Sequence, residues 1–291
     1  MTSPWILAAR PKTLPAAAAP VLVGMALAWR AGGFALLPAL AALAGAVLIQ
    51  VATNLANDYF DFIHGADTEH RVGPTRVTQA GLLSPVAVRN GMGLTLLAAL
   101  LVGIYLVWVA GTPILWIGLA ALVCAVAYTG GPFPLAYRGL GDLFVFVFFG
   151  LVAVTGTVYV QTLAFSWEAL WAGAGVGAVS TCLLVVNNLR DIRTDEKAGK
   201  RTLAVRVGVT GTRVEYTLLW AFAIGVPIIG IGVHGWPSLV VLAVLGLVAA
   251  GSAVRAVWTF RRPEELLPAL PATSAGLLVY ALGLSAGLVL G

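Results

Sequence analysis

Long uncharged stretches dominate the chain and predict membrane-spanning helices. Seven runs contain no Asp, Glu, Lys or Arg: 13–29, 31–57, 90–137, 143–167, 169–189, 216–254 and 266–291. A bilayer-spanning helix needs about 20 apolar residues, and nearly all of these runs reach that length. Turn-forming clusters at Gly111-Thr112-Pro113 and His234-Gly235-Trp236-Pro237 divide the two runs at 90–137 and 216–254. The pattern therefore predicts nine transmembrane helices.

Composition excludes a water-soluble protein. Of the 291 residues, 60% are hydrophobic and only 10% are charged, against roughly 25% charged residues in an ordinary soluble chain. The longest charged loops, 57–89 and 190–213, are too short to form a core of their own. We therefore expect an all-α polytopic membrane protein in which residues 1–291 form a single transmembrane domain.

The placement of positive charge predicts the orientation of the bundle. Sixteen of the 17 Lys and Arg residues fall in alternate segments between the predicted helices, and Arg30 is the exception. Because cytoplasmic loops collect Lys and Arg, this predicts a multi-pass protein of the cytoplasmic membrane, with a cytoplasmic amino terminus and an outer carboxyl terminus. The net charge of +5 then reflects contact with anionic lipid and does not indicate nucleic-acid binding. A removable signal peptide is an alternative interpretation of the first thirty residues, although their apolar stretch is as long as a short span.

The acidic residues are concentrated in two places. The loop after the second predicted helix holds Asp58, Asp61, Asp67 and Glu69, and the loop after the sixth holds Asp191, Asp195 and Glu196. Each cluster begins with three polar residues spaced so that they line one face of a helix. The first stripe is Asn54, Asp58 and Asp61, and the second is Asn187, Asp191 and Asp195. An even number of helices separates the two loops, so both stripes are expected on one membrane face, which the charge pattern predicts to be cytoplasmic.

Paired acidic stripes of this kind favour binding of a metal and a diphosphate. Crowded carboxylates need cations, and Mg²⁺ characteristically takes one or two carboxylates together with phosphate oxygens. Basic side chains that suit phosphate lie in the same segments, namely Arg71, Arg76, Lys197, Lys200 and Arg201. Taken singly, these cations are better explained by the positive-inside rule. A diphosphate at the mouth of an apolar bundle implies a ligand whose other end is lipid.

At this point the sequence resembles the UbiA superfamily of intramembrane prenyltransferases, and the resemblance covers nearly the whole chain. Its Asp motifs are Asn54-Leu55-Ala56-Asn57-Asp58-Tyr59-Phe60-Asp61 and Asn187-Asn188-Leu189-Arg190-Asp191-Ile192-Arg193-Thr194-Asp195. Three further elements are similar to the branch that prenylates 1,4-dihydroxy-2-naphthoate: Arg10-Pro11-Lys12-Thr13, Gly73-Pro74-Thr75-Arg76 and Tyr128-Thr129-Gly130-Gly131-Pro132. In one position the chain departs from the superfamily, because Gly65 replaces a third acid and Asp67 follows two residues later.

The resemblance implies a bundle of nine helices and a specific reaction. A polyprenyl group passes from polyprenyl diphosphate to 1,4-dihydroxy-2-naphthoate, with loss of CO2, giving demethylmenaquinone for menaquinone biosynthesis. It implies that Asp58, Asp61, Asp191 and Asp195 are catalytic and bind Mg²⁺, with Asp67 as a further candidate ligand. Candidates for contact with the diphosphate are Asn54, Asn57, Arg76, Asn187, Asn188, Lys200 and Arg201.

The aromatic acceptor needs a cation for its carboxylate and hydrogen-bond partners for its hydroxyls. The candidates on the predicted cytoplasmic face are Arg10, Lys12, Tyr128, Tyr137, Arg138 and Asp142. Each of the Tyr, Lys and Arg residues is equally explained as an interfacial anchor, and Asp142 as the start of a helix.

Other functions remain open from the sequence. A secondary transporter also has repeated helices with polar interruptions, but its binding site lies near the bilayer midplane, whereas both acidic clusters lie at one face. A CDP-alcohol phosphotransferase would carry Gly-Ala-Arg after the second Asp, where this chain has Phe62-Ile63-His64. Superfamily members that prenylate 4-hydroxybenzoate or another aromatic acceptor are nearer rivals.

Overall fold

The computed structural model describes residues 3–65 and 72–291, and these residues form helices and no strands. In chain order the helices are α1 (Pro4–Ala9), α2 (Pro15–Arg30), α3 (Leu36–Ile63), α4 (Pro85–Ala110), α5 (Thr112–Ala127), α6 (Gly141–Thr162), α7 (Trp167–Lys197), α8 (Leu203–His234), α9 (Ser238–Ala249), α10 (Gly251–Thr259) and α11 (Pro263–Leu290). Two predicted residues, Asp67 and Arg71, lie outside the described ranges.

Side-chain caps fix the start of three long helices. The hydroxyl oxygen of Ser84 accepts a hydrogen bond from the Ala87 N–H (3.2 Å), which begins α4. Ser166 and Thr202 do the same for α7 and α8. Each cap satisfies one N–H group that the first helical turn leaves without a partner.

The breaks that the sequence predicts within its two divided runs are confirmed. Gly111 adopts a φ of 78° between α4 and α5, and Gly235 adopts a φ of 62° at the end of α8. Both conformations favour glycine because a side chain is strained there.

The predicted number of nine spans is not confirmed. Among the described residues, six helices are long and apolar enough to cross a membrane, or eight if each of two bent pairs counts as one span. The bent pairs are α1 with α2, and α9 with α10. The remaining apolar segment, α5, has only 16 residues. A 16-residue helix rises about 24 Å, which is less than the hydrocarbon thickness of a bilayer.

Helix α7 lies at the centre of the bundle. Of its most apolar window, 78% is buried, and it contacts α2, α6, α8 and α11. Glycines bring α6 and α7 together, since a Cβ atom added at Gly177 would lie 2.6 Å from the Phe146 carbonyl oxygen. This close packing makes α7 a rigid support for the polar residues at its end.

Helices α3 and α7 both continue past their apolar stretches. As a result Asp58 and Asp61 belong to α3, and Asp191 and Asp195 belong to α7. This confirms the prediction that both stripes are helical. Helix α3 ends at Ile63, just before Gly65 with a φ of 69°.

Candidate active site

The segment that follows the second Asp motif contacts the first motif at Asp61. The Lys200 ammonium, which follows α7, lies 2.7 Å from Asp61 Oδ1 on α3. The residues are 139 positions apart in the chain. This contact confirms that both motifs lie at the same end of the bundle.

Asp61 gathers side chains from two further segments. Arg76 Nη2 donates to Asp61 Oδ2 at 3.0 Å, and the Tyr137 hydroxyl donates to Oδ1 at 3.1 Å. The carboxylate is only 2% exposed. Lys200 also lies over the Tyr137 ring, 4.8 Å from its centroid. Arg76, the loop between α5 and α6 that carries Tyr137, and the segment after α7 that carries Lys200 therefore converge on Asp61.

Asp58, one helical turn earlier on α3, has different partners. Its two carboxylate oxygens accept hydrogen bonds from backbone N–H groups, Val77 N at 3.1 Å and Thr78 N at 3.0 Å. Arg10 Nη2 lies 3.9 Å from Oδ2. Asp58 thus joins α3 to the loop that carries Arg76.

Asp191 is held by its own neighbour in the sequence. Arg190 donates through Nε and Nη2 to the two oxygens of Asp191, each at 2.7 Å. The Arg190 side chain is buried and Asp191 is half-buried. Sequence reasoning missed Arg190, although an arginine directly beside a motif aspartate is a signal for such a pair. Asp195 follows one turn later, and its carbonyl accepts a hydrogen bond from the Lys200 N–H.

The four predicted asparagines have separate environments. Asn54 donates to the Ala9 carbonyl (2.9 Å) and to Thr13 Oγ1 (3.0 Å), which ties the end of α1 and the segment that follows it to α3. Asn57 accepts a hydrogen bond from the Thr129 hydroxyl. Asn187 donates to the Leu183 carbonyl within α7, and Asn188 is half-buried beside it.

The remaining predicted cations lie towards the surface. Arg201 is exposed, and its N–H donates to the Tyr137 carbonyl. Arg138 is exposed, with its guanidinium 4.7 Å from the centre of the Phe133 ring. Lys12 is exposed, and its carbonyl accepts a hydrogen bond from Ser274. The structure does not bring these three cations to Asp61, so their predicted binding roles stay predictions.

Tyr128 and Asp142 are neighbours beside this cluster. Burial, followed by the charges of Asp142, Asp61 and Asp195, raises the pKa of Tyr128, so its phenol stays protonated and able to donate. Asp142 opens α6, as one interpretation of the sequence predicts, and is buried. Its Oδ2 atom receives no hydrogen bond from the described part of the chain.

A large apolar cavity opens next to these polar groups. It has a volume of about 460 Å³, and its polar lining includes Arg10, Asn54, Asn57, Tyr128 and Asn187. Its other walls come mainly from α2 to α7 and are mostly hydrophobic. Because Asn57 and Asn187 lie one helical turn from Asp61 and Asp191, the aspartates lie just beyond the polar end of the cavity.

The donor chemistry of the cluster fits a hard divalent cation. Asp61, Asp191 and Asp195 offer only oxygen donors, which Mg²⁺ prefers. In the described ranges no three His, Cys, Asp or Glu residues are already grouped around one point. Instead, Lys200 and Arg76 supply positive charge at Asp61. The Lys200 and Arg76 side chains can rotate, so the Asp61 carboxylate can exchange one of these cations for a metal ion.

Comparison with known proteins identifies the family. Residues 17–287 match the UbiA prenyltransferase family. The chain is 41% identical to the 1,4-dihydroxy-2-naphthoate octaprenyltransferase of Mycobacterium tuberculosis over 99% of this chain and 97% of that protein. It is 37% identical to the protein of the same name from Haemophilus influenzae, over 99% and 96% of the two chains.

The fold agrees with that assignment. The structure of a UbiA homologue from Archaeoglobus fulgidus, bound to GPP and Mg²⁺, is similar with a TM-score of 0.66 at 13% identity. The similarity covers 98% of this chain and all of that one. With a family match across most of its length and relatives of this identity, the chain belongs to the UbiA prenyltransferase family.

Proposed function

We propose that this protein is a Mg²⁺-dependent 1,4-dihydroxy-2-naphthoate polyprenyltransferase of menaquinone biosynthesis. The observation that carries the proposal is the convergence of Arg76 and of Lys200, which follows the second Asp motif, on Asp61 of the first motif, beside an apolar cavity of about 460 Å³. This arrangement suits a ligand that has an anionic head and a lipid tail. The names of the full-length relatives support the naphthoate as acceptor.

The diphosphate binds at the polar end. Asp61, Asp191 and Asp195 would hold Mg²⁺, which neutralises charge on a departing diphosphate. Lys200 and Arg76 already lie at Asp61 and supply positive charge for the diphosphate oxygens. Asn57, Asn187 and Asn188 offer amide donors on the same turns. The predicted role of Asp67 falls outside the described residues.

The prenyl chain occupies the apolar cavity. Among the described residues, its walls carry no charged side chain beyond Arg10 at the polar end. Exclusion of water matters here because water would quench the allylic cation that forms when diphosphate leaves. The cavity therefore binds the tail and protects the reacting carbon.

The aromatic acceptor binds beside the diphosphate. Arg10 and Tyr128 line the same cavity, and they provide a cation for the carboxylate and a donor for a hydroxyl. Asp142, whose Oδ2 atom receives no hydrogen bond from the described residues, can accept one from the other hydroxyl. Tyr137, Lys12 and Arg138 are the outer candidates for this subsite.

The reaction follows from these positions. The C1–O bond of the prenyl diphosphate breaks, and its electron pair leaves with the diphosphate. The ring carbon that bears the carboxylate attacks the allylic cation, because the hydroxyl on the adjacent ring carbon donates electrons to it. Loss of CO2 returns an electron pair to the ring and restores aromaticity, so no strong base is required. The product is the prenylated naphthalenediol, which is the reduced form of demethylmenaquinone.

The location of the site follows the charge pattern. The apolar helices and the family support a multi-pass protein of the cell membrane. The positive-inside rule favours a cytoplasmic amino terminus, an outer carboxyl terminus and an active site at the cytoplasmic face.

A direct assay tests the proposal. Purified protein is incubated with Mg²⁺, a polyprenyl diphosphate and either 1,4-dihydroxy-2-naphthoate or 4-hydroxybenzoate, and products are identified by mass. We expect a prenylated, decarboxylated naphthalenediol. Product from 4-hydroxybenzoate alone would refute the acceptor, and absence of product with every acceptor would refute the enzyme assignment.

A further inference from the structure

The two aspartates of the first motif differ in the kind of donor that surrounds them. Asp61 is contacted by the side chains of Arg76, Tyr137 and Lys200. Asp58 accepts hydrogen bonds from the backbone N–H groups of Val77 and Thr78, and the Arg10 guanidinium lies farther away, at 3.9 Å. Side chains can rotate away from a carboxylate, whereas backbone donors leave only if the chain itself moves.

The backbone donors at Asp58 belong to a compact turn. The Ala80 N–H donates to the Arg76 carbonyl at 2.9 Å, and the Leu82 N–H donates to the Val77 carbonyl at 2.9 Å. Val77 is fully buried. The turn therefore holds both N–H groups in place, and the Asp58 carboxylate, which is 1% exposed, closes over them.

The clamp has a consequence for the neighbouring residue. Arg76 precedes Val77 directly, so fixing the Val77 N–H also fixes the backbone from which the Arg76 guanidinium extends. That guanidinium reaches Asp61 Oδ2 at 3.0 Å. Asp58 and Asp61 lie three residues apart on α3, on the same face of the helix. Asp58 thus anchors the loop, and Asp61 accepts a hydrogen bond from Arg76 of that loop.

From this geometry we infer that Asp58 is a positioning residue, which clamps the backbone of the Val77–Thr78 turn and so aims Arg76 at Asp61. In this assignment Asp61, Asp191 and Asp195 would hold Mg²⁺, and Asp58 keeps its two backbone partners. The role differs from the metal-ligand role that the family resemblance implies for Asp58. The inference rests on the proposed function for the identity of the metal, but the backbone clamp does not depend on it.

Amide hydrogen exchange in the wild-type protein provides the first test. Exchange of the Val77 and Thr78 amides is measured in purified protein with inorganic diphosphate, with and without Mg²⁺. A clamp predicts protected amides and the same exchange rates in both conditions. If Mg²⁺ accelerates their exchange, the metal competes for the Asp58 oxygens and the inference is wrong.

Two matched variants provide the second test. Asp58→Asn has nearly the same shape but turns one of its two acceptors into a donor. We expect exchange at Val77 and Thr78 to rise about ten- to hundredfold, since the lost bond involves a charged acceptor. Binding of Mn²⁺ in the presence of inorganic diphosphate, measured by electron paramagnetic resonance, should keep its wild-type stoichiometry.

Asp61→Asn should show the opposite pattern, with weaker Mn²⁺ binding and protected amides at Val77 and Thr78. Loss of a Mn²⁺ ion in Asp58→Asn would overturn the inference. Should Asp58→Asn fail to fold, the wild-type exchange measurement still decides. If wild-type protein binds no Mn²⁺ at all, the proposed function fails, while the exchange result judges the clamp separately.

Discussion

Replacing Lys200 by Gln removes the contact that joins the two Asp motifs. The Lys200 ammonium lies 2.7 Å from Asp61 Oδ1, and both side chains are largely buried. Gln is similar in length but carries no charge. The change therefore tests whether this lysine supplies positive charge at the diphosphate site.

The magnitude follows from the distance. Two unit charges 2.7 Å apart attract each other by about 6 kcal/mol at an effective dielectric constant near 20. Desolvation offsets most of this energy, and Asp61 keeps Arg76 and Tyr137, so we expect a loss of stability of about 2 kcal/mol. Removing one preorganised donor from developing charge typically lowers turnover about 100- to 1000-fold. Activity should thus suffer more than folding.

The assay is the initial rate of naphthoate prenylation at saturating Mg²⁺ and polyprenyl diphosphate. Lys197→Gln is the matched control, because Lys197 is exposed and lies three residues earlier. Surface changes of this kind usually alter stability by less than about 0.5 kcal/mol, and we expect near-normal turnover. Lys200→Arg retains the charge in a different shape and should fall between the two.

A simple comparison decides the outcome. If Lys200→Gln turns over within about threefold of Lys197→Gln, a loss of under 1 kcal/mol, Lys200 provides no charge stabilisation and the proposed diphosphate site is wrong. A parallel measurement of thermal unfolding in detergent separates loss of chemistry from loss of fold.

Three further changes probe other parts of the structure. Arg190→Met removes both donors to Asp191 and should lower the initial rate at least about 100-fold; near-normal turnover would show that Asp191 needs no such support. Gly156 lies in the cavity wall, and an added Cβ there meets nothing within 4 Å, so Gly156→Phe places a ring in the cavity. The rate with a long prenyl diphosphate should then fall at least about tenfold more than the rate with a short prenyl diphosphate. Equal losses would place the tail elsewhere. Gly150→Leu forces a side chain against the Gly173 carbonyl of α7, and we expect about 3 kcal/mol of destabilisation. The control is Gly118→Ala, whose added Cβ meets no neighbour within 4 Å. The unfolding midpoint of Gly150→Leu should be lower than that of the control.

Much of the fold could be predicted because the bilayer imposes its own rules. Spans must be long and apolar, and turn-forming clusters interrupt them, so the breaks at Gly111 and Gly235 were predictable. The number of spans could not be predicted, because it depends on bends between consecutive helices. Whether α9 and α10 form one crossing is decided by a 43° bend between Ala249 and Gly251, and no charge or proline marks it.

The site could be predicted only in part. Helical spacing placed Asp58 and Asp61 on one face of α3, as the structure has them. Spacing cannot show which donors each acid meets, because those donors come from elsewhere in the chain. The Val77 and Thr78 N–H groups at Asp58 have no signature in a sequence, since every residue except proline carries one.

Lys200 reaches Asp61 while its neighbours do not, because the loop between α5 and α6 contacts the loop between α7 and α8. Arg206 donates to the carbonyls of Arg138 and Arg201, and the Arg201 N–H donates to the Tyr137 carbonyl. Gly139 permits this approach, because it has a φ of 71° and an added Cβ would lie 2.8 Å from the Arg201 carbonyl oxygen. The two loops are thereby joined at their backbones, and this fixes Tyr137 and Lys200 side by side. Both then reach Asp61 Oδ1, whereas Lys197 and Arg201 remain at the surface.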